Sequence, residues 1–443
     1  MARPEPASAL ASRFDAAWLG ERRWFRSKAR RLASVTVEDA ARLDGHPAWM
    51  VVLRAEHADG GIDRYLVPAV ADPEGELREP NDGDGAWRAL VAALATGDEI
   101  HGDACRFAVH VTEALDALLP GGVAEAVGLD ERRLKVEQSN TSIRLGERLI
   151  LKIYRHLEPG ANPEVEVNAF LTAVGFDNAP ALAGWLTYEP DGSQPATAAM
   201  LQELVPSRGD GWQWLLNRLA EPPIGPKEAI AGAAQIGGIT AEMHAALASR
   251  PEAQGFRVAV AGAQERSAWR AGAERQLDGA LEAVADEHRA RLEAVAGRIR
   301  GRFVAIERAD DPVTTRIHGD YHLGQLLRTE NSFMVIDFEG EPARPLAERR
   351  EPSSPLRDVA GMLRSLDYAA RTAERDSGGA FEPEGWLADA RSAFLSAYGA
   401  GVEQLPLLEA FEAEKACYEV RYEANNRPDW TWLPISALER IAA

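Results

Sequence analysis

Four polar residues in one segment have the types and spacing that phosphoryl transfer requires. The run RIHGDYHLGQLLRTENSFMVIDFEGEP, residues 316–342, places Asp320 in a glycine-containing loop and Gln325 five positions later. The apolar strand FMVI follows, and Asp337 and Glu339 come at its end. In phosphoryl transfer one carboxylate orients a hydroxyl and accepts its proton, while oxygen ligands hold Mg²⁺ on the phosphates. We therefore expect these side chains to converge on one point.

A second His-Gly-Asp triplet provides a comparison within the same chain. His101-Gly102-Asp103 repeats the three residues, but neither an amide side chain nor a strand-borne carboxylate follows it at similar spacing. The triplet alone is therefore weak evidence, and we predict no catalysis there. For residues 316–342 the alternative interpretation is a glycine turn followed by an acidic hairpin.

A lysine lies within an apolar strand in the first half of the chain. Lys152 belongs to LILKIYR, and an ammonium group among apolar residues is costly unless it meets an anion. A bound phosphate would supply that anion. A strand at the edge of a sheet, with its lysine in water, is the alternative.

The segment EKACYEVRYEANNRPDWTWLP, residues 414–434, carries side chains suited to a sugar. If it is helical through Ala424, Glu419 and Glu423 share one face, with Tyr422 beside them. Amides and indoles follow at Asn425, Asn426, Trp430 and Trp432. Carboxylates bind hydroxyl groups, and indole packs on a pyranose ring. The alternative is a solvated helix end with packed tryptophans.

Composition and charge narrow the classes of partner. The 443 residues include 69 acidic and 49 basic residues, for a net charge of −20. This excess repels nucleic acid and anionic membranes at long range. Two distant cysteines, Cys105 and Cys417, predict a reduced, cytoplasmic protein. We find neither a signal-peptide pattern nor an apolar run of membrane-spanning length.

The length predicts two or three folded units in an α+β protein. We predict an N-terminal antiparallel β-rich cap over residues 1–130, with strands starting near Ser34, Ala48 and Arg64. Residues 131–206 have the strand and helix order of a kinase-like N-lobe. Residues 207–443 are predicted to form a mostly helical C-lobe, including a solvated helical hairpin from Ala263 to Arg302.

The sequence resembles a known family in several places. HGDYHLGQ followed by IDFEGEP is similar to the Brenner and metal-binding motifs of aminoglycoside phosphotransferase-like kinases. The run EPARPLAERREPSSPLRDVAGMLRSLDYAA resembles actinobacterial maltokinases and their glucosamine kinase relatives, as do VEQSNTSIRL, LILKIYR and EKACYEVRYEANNRPDW. The resemblance runs from Arg133 to the C-terminus, and the N-terminal meander resembles that family's cap. It implies a bilobal protein-kinase-like fold that uses ATP and Mg²⁺.

The same resemblance implies roles for the catalytic residues. Asp320 would be the base and part of the acceptor site, with Gln325 and Asp337 as metal ligands and Glu339 as a further metal or supporting residue. Gln325 stands where the wider superfamily usually has Asn, and its amide oxygen serves equally. His322 would either hydrogen-bond the catalytic loop or pack.

The ATP site is likewise implied by the resemblance. Lys152 would contact the α- and β-phosphates, oriented by Glu166, with Glu164 as the reserve candidate. In place of a glycine-rich loop the chain has Gln138, Ser139, Asn140, Thr141 and Ser142. The hinge that meets adenine would be Gln202, Glu203 and Leu204, for which an ordinary buried strand is the equal alternative.

Two further polar residues are interpreted structurally. Asp358 follows Pro355 at the start of a predicted helix and is interpreted as a helix cap. His244, in TAEMHAALA, is interpreted as a core or half-buried histidine.

The acceptor hypothesis rests on the C-terminal segment. Maltokinases are expected to continue from Arg-Pro-x-Trp directly into Leu-Pro-Ile-Pro, whereas this chain reads NNRPDWTWLPIS. An amino sugar carries an ammonium group that Glu419 or Glu423 would pair with. We therefore predict phosphorylation of glucosamine at its 6-hydroxyl, with acceptor contacts from Asp320, His322, Glu419, Tyr422, Glu423, Asn426 and Trp430. The alternatives are a maltokinase forming maltose 1-phosphate, a non-catalytic kinase-like nucleotide-binding protein and a metal-dependent hydrolase.

Overall fold

The computed structural model describes residues 14–71, 77–134, 139–342 and 344–443. The chain divides into two compact units, Met1–Val205 and Pro206–Ala443. Strands dominate the first unit, and helices dominate the second. The predicted α+β class with a strand-rich N-terminal part and a mostly helical C-terminal part is therefore confirmed.

The first sheet of the N-terminal unit is an antiparallel meander with its strands in sequence order. Its strands are β1 (Leu32–Arg42), β2 (Ala48–His57), β3 (Ile62–Ala71) and β4 (Leu77–Arg78). The turns that follow β1 and β2 contain Gly45 and Gly60, which adopt positive φ angles of 72° and 84°. Glycine reaches this conformation without a steric penalty. Helix α1 (Ala16–Gly20) precedes the sheet, and Trp24 and Phe25 pack on Tyr65 of β3.

The second sheet of the N-terminal unit has seven strands in the order β5-β6-β10-β11-β9-β8-β7. Its strands are β5 (Ile100–His101), β6 (Cys105–Val111), β7 (Glu131–Arg133), β8 (Thr141–Leu145), β9 (Leu149–Ile153), β10 (Leu182–Pro190) and β11 (Ala196–Glu203). Strands from both sides of residue 130 thus share one sheet. The predicted boundary between cap and N-lobe at residue 130 stays a prediction.

Four helices accompany this sheet among the described residues. They are α2 (Ala86–Thr96), α3 (Ala114–Leu118), α4 (Gly122–Ala126) and α5 (Pro163–Val174). Helix α5 has characteristic capping residues at both ends. The side chain of Asn162 caps its first turn, Pro163 is its first residue, and Gly175 ends it in the left-handed conformation at φ 74°.

The C-terminal unit is built mainly from helices. They are α6 (Gly211–Leu219), α7 (Gly225–Leu247), α8 (Ala263–Ala283), α9 (Asp286–Arg308), α10 (Leu346–Arg349), α11 (Leu356–Asp376), α12 (Pro383–Tyr398), α13 (Leu405–Asn426) and α14 (Trp432–Ala442). Helices α8 and α9 form the predicted hairpin, which turns at Val284 and Ala285.

Two short antiparallel strand pairs complete this unit. Strands β12 (Ala259–Val260) and β13 (Val313–Thr314) form one, and β14 (Leu326–Arg328) and β15 (Phe333–Val335) form the other. The second pair lies inside the segment singled out for phosphoryl transfer. Among the described residues, the helices are all too short or too polar to cross a membrane.

Candidate active site

The loop that carries Asp320 is fixed through its backbone by a buried carboxylate on α11. Asp358 accepts hydrogen bonds from the backbone N–H of His318 at 2.8 Å and of Gly319 at 2.9 Å. Gly319 has a φ of 87°, a conformation that favours glycine. These contacts set the path of the chain immediately before the predicted base.

The interpretation of Asp358 as a helix cap is wrong. The N-cap position of α11 is Pro355, and the Asp358 carboxylate instead meets the catalytic loop and His244 Nε2, at 3.0 Å. The Tyr398 hydroxyl lies 3.1 Å from the other ring nitrogen of His244. Burial acts to raise the pKa of Asp358, but its interactions with His244 and the loop hold that pKa below its usual value.

One imidazole ring joins the loop of Asp320 to the strand that ends at Asp337. His318 is 1% exposed, and its Nδ1 lies 3.4 Å from the backbone N–H nitrogen of Asp320. Its Nε2 lies 2.9 Å from the carbonyl oxygen of Ile336, the residue before Asp337. The backbones that carry the two acids are therefore separated by the width of one ring, within the C-terminal unit.

The residues predicted to bind the metal lie together at the end of β15. Gln325 Nε2 donates to Asp337 Oδ2 at 3.1 Å, and a second bond joins the backbones of Ile336 and Gln325 at 3.0 Å. Carboxylate oxygens of Asp337 and Glu339 lie within 4.8 Å of each other. Opposite ligands of one Mg²⁺ are about 4.2 Å apart, and the ion prefers oxygen donors. This donor set fits Mg²⁺.

Asp337 itself has a left-handed backbone, with a φ of 64°. Such a conformation costs a non-glycine residue on the order of 1 kcal/mol, and residues that hold it are often functional. Here it turns the chain directly after the strand, at the position predicted to bind the metal.

His322 caps the turn that carries Gln325. Its Nδ1 accepts a hydrogen bond from the backbone N–H of Gly324 at 3.0 Å, so the predicted alternative of a bond within this loop is present. Burial lowers the pKa of His322, while the charges of Asp320 and Asp337 act to raise it. The ring therefore lies close enough to both carboxylates for their charges to affect its pKa.

Asp320 forms an ion pair with Lys415 of α13, whose Nζ lies 3.2 Å from Asp320 Oδ1. Burial acts to raise the pKa of Asp320, but Lys415 and two histidines hold it below its usual value. Burial acts to lower the pKa of Lys415, whereas Asp320, Glu341 and Glu419 raise it above its usual value. Both groups are therefore charged at neutral pH.

Sequence reasoning missed Lys415 and two further residues of this cleft. Glu341 and Tyr418 line the same cleft as Asp320 and Lys415. The signal was present in the sequence, because Lys415 lies four residues before Glu419 and shares its helix face. Its pairing with Asp320 joins elements far apart in the chain, so the sequence does not show it.

The two acids predicted to bind an amino sugar are already paired with arginines. Arg364 donates to Glu419 from two nitrogens, at 2.7 and 3.0 Å. Arg427 donates to Glu423, which is 2% exposed, at 2.6 and 2.8 Å. An ammonium group would have to share these carboxylates with guanidinium groups. Acceptor binding by Glu419 and Glu423 therefore stays a prediction.

The other predicted acceptor residues lie near the end of α13. Tyr422 is 46% exposed, whereas the amide of Asn426 donates to the Tyr422 carbonyl at 2.8 Å. The guanidinium groups of Arg375 and Arg427 lie 4.3 and 5.2 Å from the centre of the Trp430 ring. Tyr422 and Asn426 are thus exposed, whereas Trp430 is half-buried.

In the N-terminal unit, the buried Lys152 pairs with Glu164, at 2.8 Å between Nζ and Oε2. Tyr154 donates to the same carboxylate oxygen at 2.6 Å. Lys152 therefore has Glu164, the reserve candidate, as a carboxylate partner, and the role of Glu166 stays a prediction. The two residues lie about 200° apart around α5, since each residue of a helix advances by about 100°. Glu164 faces β9, and Glu166 is only half-buried.

The predicted phosphate segment is described from Ser139 onward, and Gln138 lies outside the described residues. Asn140, Thr141 and Ser142 are buried, and Ser142 is the register partner of Lys152 across β8 and β9.

The predicted hinge residues lie at the end of β11. Gln202 and Glu203 close that strand, and the backbone N–H of Leu204 donates to the Arg148 carbonyl at 2.8 Å. Contact of these residues with adenine stays a prediction.

Models of known protein families match residues in both units of the chain. The model of the phosphotransferase enzyme family (APH) matches residues 130–388, more than half of the chain, including Lys152, Asp320 and Asp337. The chain belongs to the phosphotransferase enzyme family. In this phosphotransferase, residues 18–106 also match the maltokinase N-terminal cap domain. The family resemblance stated from the sequence motifs is confirmed.

Relatives of this phosphotransferase include two glucosamine kinases. One from Streptacidiphilus jiangxiensis is 32% identical over 429 residues, covering 91% of this chain and 92% of the relative. One from Mycolicibacterium smegmatis is 29% identical, covering 85% of this chain and 92% of the relative.

Solved glucosamine kinase structures have a similar fold. One in complex with glucosamine, ADP and inorganic phosphate covers 99% of both chains, with a TM-score of 0.76 and 28% identity. Crystal form B of a glucosamine kinase also covers 99% of both chains, with a TM-score of 0.78 and 27% identity. The predicted kinase-like fold is confirmed.

Proposed function

We propose that this phosphotransferase is a glucosamine kinase, which transfers the γ-phosphate of ATP to the 6-hydroxyl of glucosamine in the cytoplasm. The observation that carries the proposal is the arrangement around Asp320. This ionised carboxylate is paired with Lys415 and joined through His318 to the strand that ends at Asp337. Similarity to glucosamine kinases along nearly the full chain supports the choice of acceptor.

In the proposed reaction, the sugar oxygen forms a bond to the γ-phosphorus while the bond from that phosphorus to the β,γ-bridging oxygen breaks, which releases ADP. Asp320 orients the hydroxyl and accepts its proton. Its low pKa makes it a weak base, which suits a loose transition state with little charge on the attacking oxygen. Lys415 compensates the carboxylate charge and keeps Asp320 ionised.

Gln325, Asp337 and Glu339 would hold Mg²⁺. When bound, the ion would neutralise charge on the β- and γ-phosphates. In the other unit, we assign the α- and β-phosphates to Lys152, whose buried ammonium group is fixed by Glu164 at 2.8 Å. The hydroxyl and amide side chains of residues 139–142 are assigned to the same phosphates.

A coupled ADP-release assay with glucosamine, maltose, glucose and no acceptor tests this function. We expect kcat/KM for glucosamine to exceed that for the other sugars by about tenfold or more, with the phosphate on the 6-oxygen by NMR. Asp320→Asn should lower kcat about 10²–10⁴-fold and leave ATP binding nearly unchanged. A preference for maltose, or equal ADP release without acceptor, would contradict the proposal.

A further inference from the structure

A fully buried arginine connects the two sheets of the N-terminal unit. Arg155 is 0% exposed and lies just after β9, the strand that carries Lys152. Trp24 covers its guanidinium group, at 4.9 Å from the ring centre. Burial lowers the pKa of Arg155 to about 10, so the side chain remains charged at neutral pH. A buried charge of this kind costs free energy unless several partners meet it.

Each nitrogen of the Arg155 side chain meets a different element. Nε donates to Thr141 Oγ1 at 2.8 Å, at the start of β8. Nη1 donates to the carbonyl oxygen of Leu66 in β3 at 3.3 Å. Nη2 forms an ion pair with Glu79 at 2.7 Å, just after β4. The planar guanidinium group therefore reaches three elements from three separate nitrogen atoms, whereas a lysine side chain has a single nitrogen.

The backbone next to Arg155 reinforces this connection. The N–H of Leu66 donates to the Arg155 carbonyl at 2.8 Å, and the N–H of Leu157 donates to the Arg64 carbonyl at 2.9 Å. The chain leaving β9 thus pairs with β3 of the four-stranded sheet. Any shift of that sheet would move Arg155, and with it the hydroxyl group that Arg155 holds.

That hydroxyl group belongs to the segment assigned to the ATP phosphates. Thr141 is 2% exposed, and its Oγ1 also lies 3.3 Å from a guanidinium nitrogen of Arg133. The next residue, Ser142, is the register partner of Lys152. The position of Thr141 therefore fixes the start of β8, the part of the strand that pairs with Lys152.

We propose that Arg155 is a positioning residue for nucleotide binding, which ties residues 139–142 to the N-terminal four-stranded sheet through Thr141, Leu66 and Glu79. The proposal rests on the proposed function, because that function assigns residues 139–142 to the phosphates. It gives the N-terminal sheet a role in ATP affinity, although the sheet itself carries none of the assigned catalytic residues.

The test measures the Kd for Mg·ADP by calorimetry, together with the melting temperature and the KM for glucosamine. Arg155→Lys and Thr141→Val should each weaken ADP binding about tenfold, the effect of losing one hydrogen bond to a charged group. Glu79→Gln should weaken it in the same direction without contacting the phosphate segment. The KM for glucosamine should stay within about twofold.

Glu38→Gln is the matched control. Glu38 of β1 also pairs with an arginine of the same sheet, Arg64, at 2.6 and 2.8 Å, and is not bonded to Arg155. This variant should lower the melting temperature less than Glu79→Gln, because the Glu38–Arg64 pair is partly exposed, and should leave the Kd for ADP within about twofold. Equal ADP affinity in Glu79→Gln and Glu38→Gln would overturn the proposal. The double variant Thr141→Val with Glu79→Gln provides a second test: if its loss of ADP affinity equals the product of the two single losses, the two residues act independently, which would also overturn the proposal.

This test measures nucleotide binding, so its result does not depend on which acceptor the protein phosphorylates. A wild-type protein that binds Mg·ADP but does not phosphorylate glucosamine would contradict the proposed function, and the comparison of variants would still decide the role of Arg155. An active wild-type protein whose Arg155→Lys, Thr141→Val and Glu79→Gln variants bind ADP normally would overturn the role of Arg155 alone.

Discussion

Lys415 lies 95 residues after Asp320 along the chain, yet the two side chains form an ion pair at 3.2 Å. Burial alone would favour the protonated, inactive carboxyl group. The ammonium group reverses this preference, so the predicted base is ionised before a substrate hydroxyl arrives. Charge compensation at the base is thus supplied from a helix that sequence reasoning had assigned to the acceptor alone.

Replacing this lysine should change the pH dependence of catalysis. In Lys415→Met the burial of Asp320 is no longer opposed by a neighbouring ammonium group, so the pKa of Asp320 rises. Since the base acts in its ionised form, the acidic limb of the kcat–pH profile should move to higher pH, with partial recovery of kcat above it. Steady-state rates across a pH series measure this shift.

Lys227→Met is a suitable control, because Lys227 is exposed on α7 and is not bonded to Asp320. Its profile should overlay that of the wild type. An acidic limb that stays in place in Lys415→Met would mean that Lys415 does not tune the base.

Lys152 shows how far the surroundings of a single residue can be predicted from the sequence. An ammonium group inside an apolar strand predicted a buried anionic partner, and a buried carboxylate lies 2.8 Å away. The sequence left two carboxylates of the same helix, Glu164 and Glu166, as candidates. The choice between them depends on how α5 is rotated against the sheet, and that rotation is set by packing of the whole helix rather than by local spacing.

At the scale of elements, α11 supports the catalytic loop. Asp358 accepts from two consecutive loop N–H groups and bonds His244 of α7, so one carboxylate connects two helices and the loop. We therefore expect the position of Asp320 to depend on Asp358, which holds the backbone of the loop just before it.

Asp358→Asn should therefore lower kcat more than it changes substrate binding. An asparagine keeps one acceptor oxygen and loses the other, so a loop N–H is left without its bond at a cost of about 1–3 kcal/mol. Displacement of Asp320 by less than about 1 Å should reduce kcat about 10–100-fold, with KM for ATP nearly unchanged. Steady-state kinetics and thermal unfolding measure both effects.

Asp278→Asn provides the control for loss of a carboxylate on a helix. Asp278 pairs with Arg300 at the surface, and such pairs contribute less than about 1 kcal/mol. Its kcat should equal that of the wild type. If Asp358→Asn keeps wild-type kcat as well, α11 does not position the loop.

Elements that are local in sequence were predictable, whereas contacts between distant elements were not. The hairpin of residues 316–342 could be recognised because its strands, its amide and its acids follow one another within one segment. The helix cap interpretation of Asp358 failed because its partners, His244 and the loop at His318, lie far away along the chain. The paired state of Glu419 was missed for the same reason, since Arg364 lies 55 residues earlier.

At the scale of the whole molecule, the net charge of −20 contrasts with a function that uses an anionic nucleotide. Long-range repulsion is screened over about 8 Å at physiological ionic strength. In the proposed function, binding of phosphates is therefore left to local groups, for which we propose the ammonium group of Lys152 and a Mg²⁺ ion held at Asp337. The excess of acids acts instead against extended polyanions such as nucleic acid.

Strand pairing links residues on both sides of the cap boundary predicted at residue 130, and that boundary stays a prediction. Composition and turns suggested a separate cap ending near residue 130, and the four-stranded meander exists as predicted. However, β5 and β6 join the sheet that carries Lys152. Strand pairing of this kind is non-local, so the sequence around residue 130 does not reveal it.

The proposed phosphoryl transfer at Asp320 requires that Asp337 holds Mg²⁺. The most direct measurement is the initial rate of glucosamine-dependent ADP release as a function of Mg²⁺ concentration, for the wild type and Asp337→Ala. We predict saturable activation of the wild type and loss of Mg²⁺-dependent turnover in the variant. An unchanged Mg²⁺ activation curve in Asp337→Ala would contradict the proposal that Asp337 holds the metal.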